Sequence, residues 1–152
     1  MVTLTIDHHQ IEVSEGITIL EAAKQNHINI PHLCYLKDIN EIGACRICMV
    51  EVEGKDKLVT SCNTQVQEGM VLYTNSPKVR ETRRMNVELL LSQHDCECAY
   101  CSRSGNCSLQ TIANDLGITS LNYEKDVTYT PWNKAFPLQR ESNKCIKCMR
   151  CI

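Results

Sequence analysis

The sequence lacks the segments that carry a chain into or across a membrane. Its first residues, Met1 to Asp7, contain neither the basic region nor the apolar core of a secretory signal peptide. No uninterrupted run of about eighteen apolar residues occurs, so no transmembrane helix is predicted. We therefore expect a cytoplasmic protein without membrane insertion.

Motifs for phosphate binding, nucleophilic catalysis and nucleic-acid binding are also lacking. The sequence has no Gly-rich phosphate loop, no GxGxxG fingerprint and no paired nucleophile and base. Its basic residues are dispersed. We interpret the helix face that carries Lys78, Arg80, Arg83 and Arg84, together with Glu81 and Glu88, as a solvated surface. These absences predict a chain that has no active site of its own and binds no nucleic acid.

Cysteine is abundant, with 11 in 152 residues. In a chain without an export signal disulfides are rare, and cysteines at CxxC spacing are more often metal ligands or catalytic residues. An odd number of cysteines also argues against complete disulfide pairing. The pattern favours metal binding, and the cysteines fall into three sets along the chain.

The first set consists of Cys34, Cys45, Cys48 and Cys62. Ten residues separate its first two cysteines and thirteen separate its last two, whereas plant-type ferredoxins have a first gap of four. Four thiolates suffice for one iron–sulfur cluster. The alternative is a structural zinc site, although such sites usually combine two close pairs of ligands and this set contains one.

The second set consists of His94, Cys98, Cys101 and Cys107. On spacing alone, one histidine and three cysteines would also suit zinc. Cys96 is surplus, and two interpretations compete: a buried thiol beside the site or an alternative ligand. We favour the first, because His94 already completes a set of four.

The third set consists of Cys145, Cys148 and Cys151, which open the run found in bacterial ferredoxins. In that run a fourth cysteine follows after three residues and binds another cluster. The sequence ends at Ile152, before this position. We therefore expect that these three cysteines are a partial ligand set for a 4Fe-4S cluster. We also expect the chain to be part of a longer protein or complex.

Hydrophobic periodicity predicts an α+β fold. A strand over 2–6 and a returning strand over 11–13 form a hairpin, and the capping box from Thr18 to Glu21 starts a helix over 19–26. Further strands are predicted at 49–53, 58–62 and 70–73.

Two later helices frame the second set. Ser76 and Pro77 start a helix that buries Val87, Leu90 and Leu91 and delivers His94 at its end. A shorter helix over 108–116 is ended by Gly117, and the aromatic-containing residues 118–143 are predicted to be a connector.

The first two sets, in this order, resemble the N-terminal iron–sulfur region of iron-only (FeFe) hydrogenases. Complex I-type large subunits, some formate dehydrogenases and NAD-linked diaphorase subunits share these modules. The segment Asp95-Cys96-Glu97 looks more like the hydrogenases. The resemblance implies a 2Fe-2S cluster on the first set and a 4Fe-4S cluster, with one His and three Cys ligands, on the second.

The same resemblance implies the domain organisation. A β-grasp 2Fe-2S ferredoxin domain would cover 1–76 and a small helical 4Fe-4S domain 77–117. The connector 118–143 would lead to 144–152, the truncated start of a ferredoxin-like domain.

The implied function is an intramolecular electron relay in an iron-only hydrogenase, with flavin- or NAD(P)-linked subunits or ferredoxin as redox partners. Two alternatives remain open. One is the same relay in a formate dehydrogenase, complex I-type or diaphorase subunit. The other is a zinc-stabilised binding module without a redox role.

Overall fold

The computed structural model describes residues 1–131, 135, 137–138 and 140–151. They form two compact units, Met1–Arg83 with Met149–Ile152, and Arg84–Cys148. We call the first the sheet unit and the second the helical unit. Trp132 and Phe136, two aromatics of the predicted connector, lie outside the described residues. Among the described residues, no helix is both long and apolar enough to span a membrane.

The sheet unit is built on a mixed five-stranded sheet. Strand β1 (Val2–Ile6) pairs antiparallel with β2 (His9–Val13) and parallel with β5 (Val71–Tyr73). Strand β3 (Met49–Val52) pairs antiparallel with both β5 and β4 (Val59–Thr60). The order across the sheet is therefore β2-β1-β5-β3-β4. The predicted strands are all present, with shifts of one or two residues at their ends.

The hairpin between β1 and β2 is tighter than the sequence indicated. Asp7 and His8 form a two-residue turn with φ angles of 46° and 70°, so β2 begins at His9 rather than Ile11. Turns of this kind match the twist of the flanking strands but need positive φ at both positions. The Asp7 carboxylate accepts hydrogen bonds from the backbone N–H (2.8 Å) and the hydroxyl of Thr74, which hold this turn in place.

One helix packs into the core of the sheet unit. Helix α1 (Ile19–Gln25) has the predicted capping box: Thr18 Oγ1 accepts from the Glu21 N–H at 3.2 Å, and Glu21 Oε2 accepts from the Thr18 N–H at 3.3 Å. The helix buries Ile19 and Leu20 against the sheet residues Leu4 and Leu72. Burial of apolar surface on both elements stabilises this unit.

Helix α2 (Pro77–Ser92) begins in the sheet unit and continues in the helical unit. Its first turn is capped as expected, because Ser76 Oγ accepts from the Val79 N–H at 3.3 Å. Val87 is fully buried, as predicted, whereas Leu90 and Leu91 are half-buried.

The remaining helical turns lie in the helical unit. Helix α3 (Ser108–Asp115) ends one residue before the predicted boundary, and Gly117 follows with φ of 62°. Positive φ is a conformation that glycine adopts at low cost. Short 3₁₀ turns lie at Cys98–Tyr100 and Ser142–Lys144.

Candidate iron–sulfur sites

The sheet unit positions the first set in loops at the ends of its elements. Cys34 follows α1, Cys45 and Cys48 lie in the loop that enters β3, and Cys62 follows β4. Cys34, Cys48 and Cys62 are at most 1% exposed, and Cys45 is half-buried. The Ser61 N–H donates to the Cys48 carbonyl at 3.1 Å, which fastens two of these loops together.

The four thiols of the first set interact with one another. A hydrogen bond from the Cys62 thiol to Cys48 lowers the pKa of Cys48 to about 6, and the same bond raises the pKa of Cys62. Burial raises the pKa of Cys34, and the neighbouring Cys45 thiol adds to this effect. Because thiolates at such short range repel one another, all four lose their protons only where cations stand between them. This donor set therefore fits a cluster of iron ions.

The loop that carries Cys45 and Cys48 contains two residues with positive φ. Arg46 has φ of 55°, an uncommon conformation for a residue with a side chain. Gly43 has φ of 67°, and a Cβ there would lie 3.0 Å from Asn63 Nδ2. Glycine at this position lets the loop pack directly against the turn that follows Cys62.

The helical unit brings part of the second set around one cavity of about 590 Å³, lined by His94, Cys98 and Cys107 together with Cys96. The end of α2 positions His94, whose N–H donates to the Leu91 carbonyl at 3.2 Å. Cys107 precedes the first residue of α3. The lining of this cavity does not include Cys101, the fourth residue of the predicted set.

His94 has the character of a metal ligand. Its Nδ1 atom is buried and finds no hydrogen-bond partner among the described residues. Burial also lowers the pKa of the imidazole, which favours the neutral form that ligates metals. A buried nitrogen without a partner is costly in a folded protein, and coordination to iron would remove that cost.

The Cys96 thiol is hydrogen-bonded to backbone carbonyl oxygens. Its Sγ donates to the carbonyl oxygens of His94 at 3.3 Å and Leu91 at 3.6 Å, and burial raises its pKa. The protonated thiol thus holds the turn that carries His94.

Taken over the described residues, no three Cys, His, Asp or Glu side chains converge closely enough to bind one common metal ion. A structural zinc site needs four ligands on a single ion. The ligands of an iron–sulfur cluster are attached to different iron atoms.

The third set is the most exposed of the three. Cys145 and Cys148 are half-buried and Cys151 is exposed. The Lys147 N–H and Arg140 Nη2 each donate to Cys145 Sγ at 3.4 Å. Burial raises the pKa of Cys145, but these donors and their charges outweigh burial, so the net shift is downward.

Hydrogen bonds fasten the start of the third set to the second set within the helical unit. The Asp95 N–H donates to the Asn143 carbonyl at 2.8 Å, and Asn143 Nδ2 donates to Asp95 Oδ2 at 3.1 Å. Lys147 Nζ donates to Gln93 Oε1. The segments that carry His94 and Cys145 are therefore held side by side.

The interpretation of the basic helix face as solvated is wrong for Arg83, which is 5% exposed. Its guanidinium donates to three carbonyl oxygens of the sheet unit: Ile47 (2.9 Å), Met49 (3.2 Å) and Thr74 (3.1 Å). Sequence reasoning missed this residue. The available signal is its place four residues after Val79, on the buried stripe of α2.

The same interpretation is wrong for Glu88 on α2, whose side chain is 2% exposed. Its carboxylate pairs with Arg84 Nε at 2.9 Å and accepts from Asn122 Nδ2 at 2.8 Å. Arg84 Nη1 also donates to the Leu116 carbonyl at 3.1 Å. Through these hydrogen bonds the buried Glu88 and the partly exposed Arg84 tie α2 to the end of α3 and the chain that follows it.

Known proteins resemble this chain along its whole length. It is 43% identical over 157 residues to NADP-reducing hydrogenase subunit HndD of Solidesulfovibrio fructosivorans, covering 99% of this chain and 27% of that protein. It is 39% identical over 153 residues to NADPH-Fe(3+) oxidoreductase subunit alpha of Geobacter sulfurreducens, covering 100% of this chain and 18% of that protein. The chain thus spans about a quarter or less of these curated relatives.

A solved structure shares the fold. The crystal structure of an NAD+-reducing NiFe-hydrogenase in the H2-reduced state superposes with a TM-score of 0.88 at 31% identity. The match covers 99% of this chain and 64% of that chain.

Family comparison separates the chain into two cluster-binding regions. Residues 1–77 match the 2Fe-2S iron-sulfur cluster binding domain, and residues 83–121 match the NADH-ubiquinone oxidoreductase-G iron-sulfur binding region. The expected 2Fe-2S and 4Fe-4S cofactors are confirmed at the level of these domains. Since the first match alone covers more than half of the residues, the chain belongs to the 2Fe-2S iron-sulfur cluster binding domain family and carries a 4Fe-4S region of the NADH-ubiquinone oxidoreductase-G type beside it.

Proposed function

We propose that this chain is an electron relay in an NAD(P)-linked hydrogenase or complex I-type assembly. The observation that carries the proposal is the group of four interacting, largely buried thiols in the sheet unit, inside the region that matches the 2Fe-2S family. One-electron transfer without rearrangement of the ligands is the chemistry that iron–sulfur clusters supply.

The ligand assignment follows the cysteine sets. Cys34, Cys45, Cys48 and Cys62 would hold the 2Fe-2S cluster in a β-grasp domain over 1–76. His94, Cys98, Cys101 and Cys107 would hold the 4Fe-4S cluster in the domain over 77–117. The third set, Cys145, Cys148 and Cys151, would contribute to a further 4Fe-4S cluster beyond the connector 118–143. The buried, unpartnered Nδ1 of His94 supports its place among the ligands.

The protein environment prepares the two sites differently. Burial of Cys34, Cys48 and Cys62 excludes water from the first site. The second site offers a neutral imidazole in place of one thiolate. A ligand without negative charge favours the reduced state and raises the potential, as histidine ligands do in Rieske centres.

For the whole protein we propose the iron-only hydrogenase type, with flavin- or NAD(P)-linked subunits or ferredoxin as partners. A relative named as a subunit of an NADP-reducing hydrogenase supports the link to hydrogen and pyridine nucleotides. The similarity to a NiFe-hydrogenase means that resemblance to hydrogenases is not confined to the iron-only type.

A complex I-type subunit is the second candidate. It is favoured by the match of residues 83–121 to the NADH-ubiquinone oxidoreductase-G iron-sulfur binding region. The two candidates differ in where hydrogen is activated. An iron-only enzyme would carry its hydrogen-activating cluster on the same chain, so the whole protein, purified without other subunits, should reduce a viologen dye under hydrogen. Absence of this activity in a preparation with intact clusters would favour the complex I-type candidate.

The relay itself is tested by anaerobic purification of the whole protein. Iron and acid-labile sulfide should both be present, and EPR of the reduced protein should show 2Fe-2S and 4Fe-4S signals. A colourless protein that contains zinc and no labile sulfide would refute the proposal and establish the zinc-stabilised module instead.

A further inference from the structure

We infer that Arg83 is a positioning residue that raises the reduction potential of the 2Fe-2S cluster by placing a buried positive charge against the Cys45–Cys48 loop. The inference rests on the proposed function, because it assumes a cluster on the first set. It concerns a residue that is not itself a ligand.

The geometry around Arg83 is unusual for a cation. Its side chain is buried, and its three hydrogen bonds all go to backbone carbonyl oxygens. Within the described part of the chain, no carboxylate lies within ion-pair distance of the guanidinium. Burying a charge without a counter-ion costs free energy even after relaxation of the protein. The three carbonyl oxygens offset part of this cost, and a nearby negative charge would offset more of it.

The candidate for that charge lies next to the carbonyl oxygens that Arg83 binds. Ile47 and Met49 flank Cys48, so the guanidinium is fastened to the chain on both sides of this thiol. Burial lowers the pKa of Arg83, and the negative charge of a Cys48 thiolate acts against that shift. A 2Fe-2S cluster with four thiolate ligands carries net negative charge.

Reduction adds one electron to the cluster and therefore one further negative charge. A fixed cation in a poorly screened environment stabilises the more negative state. The positive charge of Arg83 thus favours the reduced cluster and raises its potential. Its carbonyl contacts hold that charge at one place, because a guanidinium presents several donors in a rigid plane.

The chain offers two natural comparisons. Arg80 lies on the same helix but is exposed, so solvent screens its charge. Arg150 also binds carbonyl oxygens beside a cysteine of the first set, those of Cys34 (3.2 Å) and Tyr35 (2.8 Å), but it is exposed. If burial of the charge determines the effect, neutralising Arg80 should leave the potential unchanged, and neutralising Arg150 should change it less than neutralising Arg83.

The experiment is an EPR-monitored redox titration of the 2Fe-2S signal in the whole protein, purified anaerobically. We expect Arg83→Gln to lower the midpoint potential, Arg83→Lys to restore it close to the wild-type value, and Arg80→Gln to leave it unchanged. Arg150→Gln should give a shift smaller than that of Arg83→Gln.

Other outcomes would overturn the inference. An unchanged potential in Arg83→Gln would show that the charge of Arg83 does not affect the potential. Equal shifts in Arg83→Gln and Arg83→Lys would show that the contacts matter and the charge does not. If Arg83→Gln loses the cluster, Arg83→Lys is the deciding variant. A retained cluster with wild-type potential in Arg83→Lys would support a role for the positive charge. Loss of the cluster from both variants would show that Arg83 has a structural role only. A wild-type protein without a 2Fe-2S signal would instead refute the proposed function.

Discussion

The two units solve the same task, holding reactive thiols, in contrasting ways. The core of the sheet unit includes Cys48 and Cys62, and three of the four cysteines of the first set are almost completely buried. The helical unit presents His94 and its cysteines half-buried, from a helix end, a 3₁₀ turn and loops. Regular structure thus encloses the first candidate site, whereas the second would depend more on a bound cluster for its shape.

The largest effect is expected when a candidate ligand is removed from the first set, the more buried of the two sites. Cys62→Ser should abolish the 2Fe-2S EPR signal and leave the 4Fe-4S signals, because Cys62 belongs to the first set alone. Cys96→Ser is the matched control and should retain both kinds of signal. Persistence of the 2Fe-2S signal in Cys62→Ser would remove this residue from the ligand set.

Removal of iron should affect the hydrogen-exchange protection of the two units differently. With a chelator under anaerobic conditions, the strands β1 to β5 should keep their protection against hydrogen exchange, since their core is apolar and extensive. The second unit, where α3 buries only Leu109, Ile112 and Ala113, should lose protection. Peptide-resolved exchange measured by mass spectrometry checks this, and equal loss in both units would contradict it.

Core truncation should reveal the same difference. Leu72 on the central strand β5 is fully buried, so Leu72→Ala should lower the free energy of unfolding of the sheet unit by about 2–5 kcal/mol. Ile112→Ala on α3, in the smaller core, should cost less. Urea unfolding followed separately for each unit measures both values. A larger loss for Ile112→Ala would mean that the helical unit has the tighter core.

If His94 is a ligand, replacing it should shift the reduction potential of the 4Fe-4S cluster and leave that of the 2Fe-2S cluster unchanged. His94→Cys places a thiolate where a neutral imidazole stood, so the potential of the 4Fe-4S cluster should fall. The 2Fe-2S potential serves as the internal control in the same titration. An unchanged or higher 4Fe-4S potential would show that His94 does not bind the cluster.

The smallest expected effect is confined to the sheet unit. Thr18→Ala removes the side-chain cap of α1 and should destabilise this unit by about 1 kcal/mol, with both cluster potentials unchanged. Thr18→Ser keeps the capping oxygen and should restore most of the lost stability in thermal unfolding. Equal losses in the two variants would assign the effect to the methyl group instead.

Local patterns were sufficient to predict most elements of the fold. Strand alternation, the capping box of α1 and the Ser76-Pro77 start of α2 depend on neighbouring residues, and all appear in the structure. The start of β2 could not be predicted in the same way. The turn at Asp7 and His8 is held by Thr74, a residue far away in the sequence.

Long-range contacts also explain what was missed at the candidate sites. The grouping of Cys34, Cys45, Cys48 and Cys62 as one ligand set stays a prediction, and the structure places all four in the sheet unit. The buried Arg83 donates to carbonyl oxygens of β3 and of Thr74, the residue after β5, which local charge patterning cannot reveal. The unpartnered nitrogen of His94 likewise becomes visible only when the helical unit is assembled.

The hydrogen bonds between Asp95 and Asn143 bear on the timing of biogenesis. The four cysteines of the first set and Arg83 all precede residue 84, so they leave the ribosome before the residues of the second set. The turn beside His94 receives its partner only after Asn143 has been synthesised. Cluster insertion during translation would therefore proceed from the sheet unit to the helical unit, and an arrested nascent chain that stops before Asn143 should acquire the first cluster alone.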